Sequence, residues 1–211
     1  MEHEKSIIPA IITRCIQEVE LRGELPFHGA GFFFFFSNNK LTMAKGMDME
    51  GIYRKSGASS AIQIIKEGFE REPQDYDISD PDLDIHAVTS ALKQYFRKLP
   101  TPLITYDVYE KIIDSGEITS QPARVDHLRK SLQDLPQVHQ DVLEFLMFHL
   151  RRVVERENEN LMTSQNVAVV FAPTIMRPES LAREMTDVQK KNEVLRFLVE
   201  NCQEIFMDMQ G

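Results

Sequence analysis

Apolar residues in this chain recur mostly three and four positions apart, the spacing that keeps them on one face of an α-helix. Pro9 can occupy a first helical turn, and Ile8, Ile12, Cys15, Ile16 and Val19 then form one stripe up to Gly23. A second helix follows Ser59 and Ser60 as cap candidates, with Ile62, Ile65 and Phe69 inward. The third begins near Asp84, carries Val88, Leu92, Phe96 and Leu99, and is stopped by Pro100 and Pro102. Val108 and Ile112 mark a fourth, and Val125, Leu128 and Leu132 a fifth. Pro136 opens a long sixth through Val142, Phe145, Leu146, Leu150 and Val153. Thr163 or Ser164 caps a seventh that ends at Pro173, and the last runs from about Val188 to Met207. The pattern predicts an all-α bundle of about eight helices.

Residues 24–46 break the pattern. A turn-rich start leads into five consecutive phenylalanines, Phe32 to Phe36, which favour no single face. A membrane-dipping loop, a partner site and a buried strand are the structural readings. We prefer a reading at the codon level, that the segment is translated intron. Phenylalanine codons are TTT or TTC, so five in a row make the pyrimidine tract that precedes a 3′ splice site. Gly23-Glu24-Leu25 can be written GGT-GAG-TTG, which holds a splice donor, and Leu41-Thr42 as CTA-ACA, which resembles a branch point. Removing these 23 residues joins Leu-Arg-Gly directly to Met47.

Composition narrows the function. The 211 residues suit a single domain spanning 1–211, since domains run to about 150 residues, and 42% hydrophobic with 27% charged residues is globular. A net charge of −9 argues against a nucleic-acid binder. Cys15 and Cys202 are too few for a disulfide scaffold or a cysteine zinc cluster, and point to reducing cytosol. No apolar run approaches the roughly 20 residues that span a bilayer. Dinucleotide, P-loop, zinc-protease and nucleophile-elbow motifs are missing, and no two of the six histidines have the spacing of a metal pair. These absences argue against an enzyme with a complete active site, a bound metal or a cofactor of its own.

Four ordered blocks carry a resemblance. Glu50-Gly-Ile-Tyr-Arg54-Lys-Ser-Gly57 resembles the arginine-finger loop of Rho-family GTPase-activating (RhoGAP) domains. Asp84 through Leu103 is similar to that family's basic helix closed by a double-proline turn. Leu135-Pro136 resembles a third block, and Leu161-Met-Thr-Ser-Gln-Asn166-Val-Ala-Val-Val-Phe-Ala-Pro173 the fourth. The resemblance covers essentially the whole chain outside 24–46. It implies a cytoplasmic activator that inserts Arg54 in trans into a Rho, Rac or Cdc42-type small GTPase in its GTP-bound state. The GTP and Mg²⁺ belong to that partner, so the domain holds no cofactor. An alternative is a GTPase-binding module that no longer accelerates hydrolysis, impaired by 24–46 and by a missing N-terminal helix. The abrupt start at Met1 also suggests a longer parent whose upstream domains recruit it to membranes.

The physics of such an arginine stands without the family. GTP hydrolysis moves charge onto the β–γ bridging and γ-phosphoryl oxygens, and an always-protonated, fork-shaped guanidinium supplied from outside neutralises it. Gly51 and Gly57 bracket Arg54 with residues that tolerate unusual backbone angles. Lys93 and Arg97, four apart, project from one side of the third helix. The resemblance assigns them to supporting the loop and contacting the GTPase. It carries Asn166 over as an interface hydrogen-bond donor, with Met162 one turn earlier on the same face. Thr174, which stands where the family often has asparagine, is carried over as a further GTPase-binding position, and Lys98 stands where glutamate is frequent.

Overall fold

Eleven α-helices form among the described residues of the computed structural model, which are 8–22, 46–80 and 82–206. Helix α1 (Ala10–Leu21) buries Ile12, Cys15, Ile16 and Val19, and Pro9 sits just before its first turn. Helix α2 (Ser59–Arg71) starts after Ala58; Ser59 and Ser60 lie inside it and cap nothing. Helix α3 (Ile85–Lys98) is capped by Asp84, whose carboxylate accepts from the His86 amide at 2.9 Å. Helices α4 (Tyr106–Asp114) and α5 (Gln121–Leu132) follow where the pattern predicts them, and α6 (Gln137–Val154) is the long sixth.

After α6 the structure is finer-grained than the pattern. A single turn, α7 (Glu157–Asn160), precedes α8 (Ser164–Ile175), which Thr163 caps by accepting from the Asn166 amide at 3.1 Å. Helix α8 runs past Pro173 rather than stopping there. Proline in the last turn forfeits one bond, to the carbonyl of Val169, and Val169 is solvent-exposed. Helix α9 (Leu181–Thr186) buries no residue, so it left no apolar stripe to read. The last predicted helix is two, α10 (Val188–Glu200) and α11 (Cys202–Phe206), divided at Asn201, whose side-chain amide donates back to the Phe197 carbonyl at 2.9 Å.

Helix α3 is central to one half of the bundle: α1, α2 and α8 all pack on it. Between Asp84 and Leu99, Val88, Ala91, Leu92 and Phe96 are fully buried. Helix α8 in turn packs against α10 and α6. No strand forms among the described residues; an isolated bridge pairs Ile104 with Met176.

Most of the 24–46 segment lies outside the described residues, apart from Gly46 at its end. The amide of Gly46 donates to the carbonyl of Arg22 at 2.6 Å. Covalently linked neighbours hold those two atoms about 2.2 Å apart, so Gly46 almost abuts the end of α1. A Cβ on Gly46 would lie 2.3 Å from the Val19 carbonyl oxygen, so only glycine fits there. Excision leaves one glycine after Arg22 whichever of Gly23 and Gly46 is counted as kept. Arg22 is itself clamped by Glu18 and by the backbone carbonyls of Leu83 and Asp80. Deleting residues 23–45 should therefore leave helical content unchanged and the thermal midpoint equal or higher, because a loop-closure cost is removed. Circular dichroism of both chains checks this; a shortened chain that fails to fold would show that the junction needs the segment.

Candidate functional site

The loop from Gly46 to Ala58 leads from beside the end of α1 into α2 and turns tightly. The amides of Arg54 and Lys55 both donate to the Gly51 carbonyl, at 2.9 and 2.8 Å. Gly51 has φ 70° and Tyr53 φ 66°. For a tyrosine that left-handed conformation costs on the order of 1–2 kcal/mol, so neighbouring contacts must hold it.

Asn160, fully buried at the end of α7, attaches one side of the loop. Its carboxamide donates to the carbonyls of Met47 and Val153, both at 2.8 Å, and accepts from the Met162 amide at 2.7 Å. Its own carbonyl receives the Gly51 amide at 2.7 Å. The α3 side holds the other end. The Gly57 amide donates to Ser90 Oγ at 3.3 Å, and a Cβ on Gly57 would lie 2.3 Å from the Ala87 amide nitrogen. Gly57 is thus required by close approach to α3, whereas Gly51 supplies the unusual angle.

Ile52 and Tyr53 are fully buried, and the next residue, Arg54, is exposed. The Arg54 guanidinium makes no hydrogen bond or ion pair with any described residue, in contrast to Arg22, Arg124 and Arg152, which are all engaged. Lys55, beside it, pairs with Glu50 at 3.0 Å.

Lys93 is almost wholly buried, with its ammonium donating to the carbonyl of Tyr53. Burial, reinforced by the charge of Arg97, lowers its pKa to about 8. Arg97 is exposed and donates through Nε to Thr174 Oγ1 at 3.2 Å. Desolvation lowers the pKa of half-buried His86; Asp84 opposes this, while Lys55 and Lys93 add to it. A chain of net charge −9 therefore gathers Arg54, Lys55, Lys93, Arg97 and Lys98 along one loop and one helix.

Two of the residues expected at an interface are placed elsewhere. Met162 is fully buried in the core, because the left-handed Leu161 (φ 58°) turns the chain inward before α8. Thr174 is also fully buried; its hydroxyl donates to the Val170 carbonyl at 3.1 Å and accepts from Arg97. It orients Arg97 from beneath and is not itself a contact surface. Asn166 is half-buried, and its amide donates to the Leu161 carbonyl at 3.0 Å. Sequence reasoning missed Asn160 altogether. Its signal was an asparagine at the end of an acidic, polar stretch with no apolar period.

An apolar cavity of about 410 Å³ lies between the start of α1, α2 and α3, lined by Ile11, Phe69, Ala91 and Tyr95 among others. None of residues 46–58 lines it. Among the described residues no cluster of histidine, cysteine or carboxylate side chains could hold a metal, and no helix is long and apolar enough to cross a membrane.

Arg54 thus stands exposed on a loop that is anchored to α7 through Asn160 and to α3 through Ser90 and Lys93. A RhoGAP domain family model matches residues 39–180. N-chimaerin of Rattus norvegicus is 37% identical over 196 residues, covering 92% of this chain and 52% of that protein. A probable Rho-type GTPase-activating protein 4 of Schizosaccharomyces pombe is 41% identical over 161 residues, 76% of this chain and 17% of that protein. Among solved structures, human Rho GTPase activating protein 15 superposes with a TM-score of 0.78 at 28% identity, covering 97% of this chain and 87% of the other. The BH domain of GRAF, the GTPase regulator associated with focal adhesion kinase, gives 0.74 at 30% identity over 93% of each chain. This chain belongs to the RhoGAP domain family. It spans between 38% and 60% of the length of the chimaerins it matches.

The folded pKa of Lys93 lies below its unfolded value of about 10.5. The unfolded state therefore binds more protons between pH 8 and 10.5, and this group's contribution to stability rises with pH across that window. Native chain should gain stability relative to Lys93→Met as pH is raised from 8 to 10.5, read from urea midpoints. Parallel pH profiles would mean that Lys93 titrates normally.

Proposed function

We propose that this chain accelerates GTP hydrolysis by a Rho-type small GTPase and that Arg54 is the arginine it contributes. The observation that carries the reading is the contrast at one peptide bond: Tyr53 is locked in the core while Arg54 is exposed and hydrogen-bonds through its side chain to none of the described residues.

In the reaction, water attacks the γ-phosphorus as the bond to the β–γ bridging oxygen breaks, giving GDP and phosphate. Negative charge grows on the leaving oxygen and on the γ-phosphoryl oxygens. A guanidinium brought in on a preformed loop meets that charge with two parallel donors and little reorganisation. Nucleotide and Mg²⁺ arrive with the GTPase in its GTP-bound state, so the activator needs no cofactor and no complete active site. Membership of the RhoGAP family supports the partner class.

The remaining residues take graded roles in this proposal. Lys93 holds the loop from below through the Tyr53 carbonyl. Arg97, held by Thr174, extends the positive surface toward acidic groups of the partner. Asn166 lies at the start of α8 and contributes its remaining hydrogen-bonding capacity there. The setting is cytoplasmic, with any membrane recruitment left to segments of a longer protein.

The test is single-turnover GTP hydrolysis by purified Rho, Rac and Cdc42-type GTPases, with this chain and with a version lacking 23–45. Arg54→Ala should lower the stimulated rate by about 10³ or more and leave binding to the GTP-bound partner largely intact. Full stimulation by Arg54→Ala would overturn the assignment. Stimulation by the shortened chain alone would mean that 23–45, which rejoins the fold eight residues before Arg54, blocks an otherwise competent activator.

A further inference from the structure

A buried tyrosine must find a partner for its hydroxyl, and the one chosen by Tyr53 is unusual. The hydroxyl lies 2.6 Å from Nε2 of His149, which is itself fully buried on α6. The other ring nitrogen, Nδ1, lies 2.7 Å from a carboxylate oxygen of Glu20 on α1. The same oxygen accepts from Arg152, one turn along α6 from His149. A line of hydrogen bonds thus runs inward from Arg152 through Glu20 and His149 to the residue beside Arg54.

The protons can be placed along it. Burial, with the nearby Cys15 and Glu20 adding to it, pushes the tyrosine pKa far up, so its hydroxyl stays protonated and donates. Desolvation works against the Glu20 carboxylate, but hydrogen bonds from His149 and Arg152 outweigh it and leave its pKa lowered, so it is ionised and accepts. Burial also lowers the His149 pKa despite Glu20, so the ring is neutral. A neutral imidazole carries one N–H, and Glu20 can only accept. The proton therefore sits on Nδ1, and Nε2 accepts from Tyr53.

The consequence is geometric. Lys93 fixes the carbonyl of Tyr53, and Phe171 packs edge-on against its ring with centroids 5.0 Å apart. His149 fixes the far end of the side chain. A residue held at its carbonyl, ring and hydroxyl, with φ 66°, leaves its successor little choice of direction. We infer that Tyr53, His149 and Glu20 form a positioning relay that fixes the direction of Arg54, so that the finger is aimed from the α1–α6 side of the bundle as well as from α3. The inference rests on the GTPase-activating reading for its functional meaning, but its structural content does not need a GTPase.

Three variants separate aiming from mere satisfaction of a core hydroxyl. Tyr53→Phe keeps the ring contact and removes only the hydroxyl. His149→Leu removes both ring nitrogens. His149→Gln can still donate to Glu20 and accept from Tyr53. In the free chain, amide exchange at Arg54 and Lys55 should quicken about tenfold in Tyr53→Phe and His149→Leu, since these amides report local opening of the loop. It should stay near native in His149→Gln. With a GTPase, the saturating stimulated rate should fall about tenfold or more in the first two while the half-saturating concentration holds, as expected of a misaimed group.

Native exchange and a native saturating rate in Tyr53→Phe, with only a lowered melting midpoint, would overturn the relay and make the hydroxyl a core contact. Faster exchange in a chain that stimulates no GTPase even as wild type would uphold the relay and sink the activator reading instead.

Discussion

The site depends on a constraint between adjacent residues: position 53 must be buried and position 54 must reach out. A regular helix cannot do this at the end of a tight turn, and an extended loop would leave the arginine loose. The chain solves it with a tyrosine at positive φ, a conformation that only surrounding contacts can sustain. Those contacts come from all sides. Asn160 binds the loop to α7, Gly57 lets it lie against α3, Lys93 takes the Tyr53 carbonyl, and His149 takes its hydroxyl. The bundle is the means by which Asn160, Lys93 and His149, distant in sequence, meet around one short loop.

The same arrangement accepts an electrostatic cost. Lys93 is buried, and its charge is disfavoured by desolvation and by Arg97 four residues away. Desolvation, with Lys55 and Lys93 adding to it, disfavours protonation of His86. Stability alone would not gather cations on one loop and one helix of a molecule with net charge −9. Under the proposed function their mutual repulsion is relieved when an anionic partner arrives, so that a folding penalty is offset on binding. The acidic remainder of the molecule does not cancel this, since screening confines each charge to about 8–10 Å.

Much of this was legible in the sequence, and the gaps have physical causes. The helices with a wide apolar stripe, α1 to α6, α8 and α10, were readable because burial imposes the period. The turns α7 and α9 were not, since four residues carry no period and α9 buries nothing. Arg54, Lys93 and Arg97 could be named because they lie in contiguous motifs. Met162 and Thr174 are carried to the GTPase-binding set by motif position, yet both are buried, and a motif does not say which way a side chain points. The left-handed Leu161 and the last turn of α8 decided that. Glu20, His149 and Asn160 were illegible because each acts through a partner between 96 and 129 residues away in sequence, or through backbone carbonyls at similar remove.

One region joins the fold to the open question of the 24–46 segment. Glu20 ends the relay on α1, Arg22 follows two residues later, and Gly46 touches the Arg22 carbonyl. The point where the chain leaves and rejoins the bundle is therefore the point where α1 meets the loop that carries Arg54. Arg22 is held by Glu18 and by two carbonyls of the segment leading to α3, so the end of α1 is fixed before the loop begins. Arg22 and Gly46 are thus held one hydrogen bond apart by contacts separate from those that hold Tyr53. Harm from residues 23–45 would then come through obstruction of the docking face rather than through distortion of the aim. The two effects differ in kinetics: obstruction raises the concentration of activator needed, whereas misaiming lowers the rate at saturation.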